Sequence, residues 1–251
     1  MEDGLALKRL DELALRAART GRTQYTRFLE PSMMNAANAA AGRQGASCRL
    51  WGGYADAERV MAAFYVDVPP EDSEYPFRIM RITWNGRFDS PAHRDLLGAA
   101  LGLGIEREAI GDIAMGLWRG TACACMFVER ELADYIAANM VMAGRIPVNA
   151  MAVDELCALT PPEGRELRVT VQSPRLDAVV AAGCGLSRSD AQRLVSAGLV
   201  KLNHLPNTRG DAKVGPGDLI SVRGYGRVKV TADLGQSRRG RQALMLFKYG
   251  K

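Results

Sequence analysis

The chain has 251 residues, 47% of them hydrophobic, enough for one large or two to three small domains with real cores, which excludes a disordered tail. The longest uncharged stretches, such as residues 31–42 and 96–105, are too short and too rich in Gly, Ala and Asn to span a bilayer. Acidic residues in the opening Met-Glu-Asp-Gly argue against a secretory signal and for a cytoplasmic location. The net charge of +5 is unevenly placed: residues 1–164 hold 17 Lys/Arg against 22 Asp/Glu, and residues 165–251 hold 16 against 6. A basic module follows an acidic body, the pattern of a segment that meets a polyanion.

Five cysteines, Cys48, Cys123, Cys125, Cys157 and Cys184, form no Cys-x-x-Cys pair, so reduced, buried thiols are expected rather than a zinc or redox site. Cys123 and Cys125 fall on one face if they lie on a strand. His93 and His204 are the only histidines, and neither a metal nor a cofactor is expected.

In chain order, Leu5, Leu10, Leu13, Ala14 and Ala17 recur at helical spacing and predict an amphipathic helix. Pro31 opens a second, alanine-rich helix that Gly42 should stop. The two make a small helical N-terminal unit over residues 1–45. Residues 46–160 alternate β-prone runs, around Leu50 and over 60–66, 77–84 and 121–128, with helical stretches near 90–103 and 129–140. A central α+β sandwich is the economical fold, so the chain as a whole is α+β. Its topology is compatible with that of the common single-strand RNA reader (RRM-like), but the Gly-aromatic motif on which that reader stacks bases is missing. The shape without the activity is expected.

The breakers of residues 160–164 precede alternating Leu167, Val169 and Val171, which places the last domain over residues 165–251. Pro174 leads into a helix whose Leu176, Val179 and Val180 face inward and which Gly183-Cys184-Gly185 ends. Ser187 then caps a second helix that Gly198 closes. Short strands over 199–203, 219–223 and 227–230 follow, separated by turns such as Gly215-Pro216-Gly217-Asp218. Arg238, Arg239, Gly240 and Arg241, with Lys248, Tyr249 and Lys251, read as a basic tail.

Arg175-Leu176-Asp177, Ser187-Arg188-Ser189, Ala191, Leu194, Gly198, Val200, Asn203, Gly217-Asp218, Ile220 and Val222-Arg223-Gly224 together resemble the S-four (αL) RNA-binding domain, named after a small-subunit ribosomal protein. A helix start offers a phosphate unpaired N–H groups and partial positive charge, and arginines bridge phosphates or stack on splayed bases. The candidate RNA-binding residues are Arg175, Ser187, Arg188, Ser189, Gln192, Arg193, Lys201, Asn203, Arg223 and Arg227.

Upstream, Thr26-Arg27-Phe28-Leu29-Glu30-Pro31, Gly52-Gly53-Tyr54 with Ala57-Glu58-Arg59, and His93-Arg94-Asp95 leading to Ile110-Gly111-Asp112-Ile113 resemble the YlmH-type family of bacterial RNA-binding proteins over nearly the full length. That resemblance implies a non-catalytic factor whose partners are RNA, rRNA and also tRNA, and which associates with the large ribosomal subunit obstructed by peptidyl-tRNA in ribosome quality control of stalled translation. Some relatives are also described as cell-division proteins. The enzymatic competitor is an RNA-modifying pseudouridine synthase, because Gly86-Arg87-Phe88-Asp89 imitates its catalytic loop. Such enzymes usually carry the S-four domain first and need a larger catalytic fold. His93-Arg94-Asp95 imitates a kinase loop without the other kinase motifs, so a capping and salt-bridge role is expected of it.

Overall fold

A computed structural model describes residues 2–86, 89–236 and 240–250. The chain divides into two compact units, residues 1–160 and 161–251.

The first unit begins with α1 (Glu2–Thr20), β1 (Gln24–Leu29), α2 (Met34–Gln44), β2 (Ser47–Trp51) and β3 (Val60–Tyr65). Leu10, Ala14 and Ala17 of α1 pack on Ala37, Ala40 and Ala41 of α2, and small side chains on both sides let the helices lie close. Leu5 stays 73% exposed. Gly42 lies inside α2, and the helix ends instead at Gly45, which takes the left-handed φ of +70°. The strands pair antiparallel in the order β1-β3-β2. The middle strand is buried on both faces: Ala62 and Phe64 meet the helices, while Met61 and Ala63 meet a second sheet. The helical unit expected over residues 1–45 is therefore corrected. Its helices bury their apolar stripes on a sheet whose strands lie on both sides of residue 45.

The second sheet is built from β4 (Phe77–Trp84), α3 (His93–Gly102), β5 (Ile110–Trp118), β6 (Thr121–Glu129), α4 (Ala133–Asn139), β7 (Met142–Ala143), β8 (Ile146–Val153) and β9 (Ala158–Leu159). Its strand order is β7-β8-β4-β6-β5-β9. Stripped of the short edge strands, this is a βαββαβ unit with its strands ordered fourth, first, third, second, the shape expected from the sequence. Asp95 accepts the Ala92 N–H at 2.9 Å and so caps α3. Met80 and Ile82 of β4 and Ala124 and Met126 of β6 pack against Leu96 of α3 and Ile136 of α4.

The opposite face is covered as well. Phe77 and Phe127 lie beneath Phe28, Met61 and Ala63 of the first sheet, and Cys123 and Cys125 lie beneath Cys157, Leu156 and Leu159. Burial pushes the Cys123 and Cys157 thiols up, away from the reactive thiolate.

The residues of the upstream family motifs hold the two sheets together. Asp112 accepts from the Tyr54 hydroxyl at 2.8 Å and from the backbone N–H groups of Glu58 and Arg59 at 2.7 and 3.1 Å. The buried Arg59 guanidinium donates to the carbonyls of Ile110, Phe28 and Arg107 at 3.0, 3.2 and 3.3 Å. Gly53 has φ +97°, and a Cβ there would overlap the Phe127 ring; a Cβ on Gly111 would come within 2.6 Å of Phe28.

The second unit comprises β10 (Gly164–Val171), α5 (Leu176–Cys184), α6 (Arg188–Ser196), β11 (Val200–Leu202), β12 (Leu205–Pro206), β13 (Leu219–Val222), β14 (Gly226–Gln236) and β15 (Gln242–Tyr249). The sheet order is β10-β15-β14-β13-β11-β12. Both helices lie on one face, where Leu176, Val179, Val180, Ala191 and Val195 pack on Val200, Ile220, Val228, Val230, Leu244 and Leu246. The expected basic tail is corrected here: residues 242–249 are an interior strand, paired with β10 and β14 on its two sides. Its alternating Leu244 and Leu246 supply the core contacts that a count of basic residues hid. Arg238 and Arg239, like Arg87 and Phe88 of the Gly-Arg-Phe-Asp tetrapeptide, lie outside the described residues. Among the described residues no helix is long and apolar enough to cross a membrane.

All three tryptophans, Trp51, Trp84 and Trp118, belong to the first unit. Gly53→Ala, forced to place a methyl group against Phe127 with positive φ, should cost that unit about 2 kcal/mol or more. A lower urea midpoint of tryptophan fluorescence checks this, and an unchanged midpoint would show that the seam yields freely.

Candidate RNA interface

The helical hairpin α5–α6 is organised by one carboxylate. Asp177, in the first turn of α5, has a side chain only 3% exposed and accepts from Arg175 Nη2 and Arg188 Nη2, each at 3.1 Å. The two arginine side chains stay 42% and 49% exposed. Each can therefore hold the carboxylate with one edge while its remaining N–H groups reach outward. The pocket for Asp177 is closed by the segment 207–213. The Asp177 N–H donates to the Gly210 carbonyl and the Leu176 N–H to that of Ala212, and a Cβ on Gly210 would press on Asp177 at 3.3 Å. Arg175 is also bridged antiparallel to Lys213, which sets another cation beside it.

Ser187 caps α6 as expected. Its hydroxyl accepts the Asp190 N–H at 3.1 Å and donates to the Asp190 carboxylate at 2.6 Å. With the Arg193 ion pair as second cause, that hydrogen bond holds Asp190 below the usual carboxylate range. The first amides of α6, those of Arg188 and Ser189, have no acceptor within the helix. Ser189 Oγ is 2.9 Å from Ser187 Oγ. A solvated patch of amides, hydroxyls and two tethered guanidiniums results, suited to phosphate oxygens and requiring no base-specific geometry. Beside it, a cleft of about 550 Å³ is lined by Thr170, Gln172, Ala178, Ala182, Arg188 and Arg241.

The ten sequence candidates do not share one surface. Arg175, Ser187, Arg188 and Ser189 gather at the start of α6, with exposed Gln192 and Arg193 one turn along the helix. Lys201 and Arg227 belong to the sheet's other face, because Val200, Leu202 and Val228 beside them point into the helix-covered core. Arg223 is exposed where β13 turns into β14. Asn203 is occupied structurally: its amide donates to Asp218 at 2.7 Å and accepts the Leu219 N–H at 2.9 Å. With His204 it forms a two-residue hairpin turn, at φ +49° and +69°. Sequence reasoning missed the part of Asp177 as the anchor and of Lys213 as a neighbour of Arg175. Only the Arg-Leu-Asp run hinted at the first.

The fold and this patch define an S-four-type RNA-binding protein. Residues 70–155 match the family model described as "Putative RNA-binding domain in YlmH", and residues 174–220 match that of the "S4 domain". The chain is 33% identical over 220 residues, 87% of its length and 84% of the relative's, to "Ribosome-associated protein quality control protein P2" of Bacillus subtilis (strain 168). A solved structure, "Cell division protein ylmH from Streptococcus pneumoniae", superposes with a TM-score of 0.50 at 24% identity, covering 61% of this chain and 92% of that one. The chain belongs to the YlmH family.

Replacing the anchor tests this geometry. Asp177→Ala should destabilise residues 161–251 by about 1–3 kcal/mol, since the charge-assisted hydrogen bonds from Arg175 and Arg188 are lost. Faster amide hydrogen exchange in α5 and α6 would register it, and unchanged protection would show that the anchor is dispensable.

Proposed function

We propose that this protein is a non-catalytic, cytoplasmic factor that binds structured RNA through residues 161–251 and associates with the large ribosomal subunit, on rRNA and also on tRNA, in the quality control of stalled translation. The observation that carries the reading is the pair of half-exposed arginine side chains, Arg175 and Arg188, tethered by Asp177 at the start of α6. The charge of the segment agrees, with 16 Lys/Arg against 6 Asp/Glu over residues 165–251, and such a field speeds encounter with RNA. The ribosome enters through the Bacillus subtilis relative, a ribosome-associated protein by name, with the similarity spanning most of both chains. Of the sequence candidates, Arg175, Ser187, Arg188, Ser189, Gln192 and Arg193 form the proposed contact.

The pseudouridine-synthase reading is less well supported. Asp89 is exposed, whereas a catalytic carboxylate works best in a cleft that shields it from water.

Sedimentation of lysate through a sucrose gradient tests the proposal. Wild type should travel with large subunits, and an Arg175→Ala/Arg188→Ala variant that keeps its native circular dichroism should stay at the top. Equal migration of both with ribosomal particles would remove the α6 patch from the contact. Wild type that remains at the top would remove the ribosome.

A further inference from the structure

The second unit has another surface whose chemistry the α6 patch does not use. Its two helices cover one face of the sheet, and strand register assigns what the other face carries. Lys201 is paired with Ser221, and Ser221 with Arg227. The Arg227 guanidinium lies 5.0 Å from the centre of the Tyr249 ring, and Tyr249 is paired with Gly164. The next row runs from Leu219 through Lys229 and Phe247 to Glu166. Arg168, opposite Met245, follows on the same face. Across these rows, four cations (Arg168, Lys201, Arg227 and Lys229) surround two aromatic rings, and Glu166 is the one acidic side chain that the register places among them.

The rings form a connected pair. Phe247 and Tyr249 sit two residues apart on β15 with centroids 5.0 Å apart and planes at 87°. Both are partly exposed. Gly164 is required next to them, because a Cβ there would come within 2.5 Å of the Phe247 ring. A glycine at that place leaves the edge of the sheet low and the aromatic surface open. Aromatic side chains on a sheet, flanked by guanidinium and ammonium groups, are what unpaired bases and their phosphates need: flat apolar area for the base and cations for the backbone. A helical RNA duplex has its bases stacked inside and cannot use such rings.

We propose that this open sheet face binds a short run of unpaired RNA, with a base stacked on Tyr249 and the phosphates along Lys201, Arg227, Lys229 and Arg168. The proposal rests on the reading of residues 161–251 as RNA-binding and adds a second, single-strand subsite to it. It differs from the α6 patch in position, on the opposite face of the sheet, and in chemistry, since it selects for exposed bases rather than for phosphate alone. It also gives Lys201 and Arg227, candidate RNA-binding residues that lie away from the α6 patch, a place in recognition.

The test is fluorescence anisotropy of the full chain with a labelled twelve-nucleotide oligoadenylate, with a perfectly paired RNA hairpin as comparison. Tyr249→Ala should weaken oligoadenylate binding roughly ten-fold, leave the hairpin affinity unchanged, and be rescued by Tyr249→Trp. Arg168→Gln/Lys229→Gln, which spares the rings, should weaken the same probe and flatten its salt dependence. Arg175→Ala/Arg188→Ala should do the reverse, weakening the hairpin and sparing the oligoadenylate. Wild-type binding to oligoadenylate that survives both open-face variants would overturn the subsite while leaving the α6 reading intact. Failure of wild type to bind oligoadenylate at all would overturn it too. Loss of large-subunit association with the oligoadenylate pattern intact would overturn the ribosomal reading alone.

Discussion

A carboxylate with almost no access to solvent, Asp177, fixes the geometry on which the proposed RNA face depends. A charge removed from water must be paired, and its two partners come from different segments: Arg175 just ahead of α5 and Arg188 in the first turn of α6. The hairpin cannot splay without stranding the carboxylate, so both guanidiniums are held beside the amides at the start of α6. Ordering them in advance reduces the side-chain entropy lost on binding. Stability and the proposed recognition share the same hydrogen bonds.

The first unit illustrates the opposite outcome. Its βαββαβ sheet has the strand order of a single-strand RNA reader, yet the face that such a reader exposes is filled by Phe28, Met61 and Ala63 on one side and by the Cys157 segment on the other. The residues that carried the upstream family resemblance are mostly the means of that closure. Asp112 ties the Tyr54 hydroxyl to the backbone at Glu58 and Arg59, Arg59 collects three carbonyls, and Gly53 and Gly111 make room for rings. On the same face, Arg81 lies over the Trp118 ring at 3.8 Å. Residues 1–164 hold 17 Lys/Arg against 22 Asp/Glu, so the net positive field of the chain comes from residues 165–251.

Local signals in the sequence were read well where the physics is local. Ser187 as a cap, Gly185 and Gly198 as left-handed helix ends, and the alternation of Leu167, Val169 and Val171 all follow from short-range sterics and hydrogen bonding. Long-range pairing was the part that sequence concealed. β15 carries Lys248 and Tyr249 beside Leu244 and Leu246, so its charge suggested a tail, and only its pairing with β10 and β14 makes it a core strand. α1 and α2 looked self-sufficient because their amphipathic pattern does not say whether the partner is a helix or a sheet. The candidate RNA residues were grouped by sequence distance, and the fold separates them. A strand's period of two sends Lys201 and Arg227 to the face away from α6, and Asn203 is spent on Asp218 and Leu219.

The most direct measurement is ultraviolet cross-linking of the full chain to RNA in intact cells, followed by mass spectrometric mapping of the nucleotide-bearing peptides. Cross-links concentrated in residues 161–251, with peptides spanning 175–193 among them, are the result this account predicts. Cross-links concentrated in residues 70–155 would contradict it, because the covered sheet of the first unit would then be the reader.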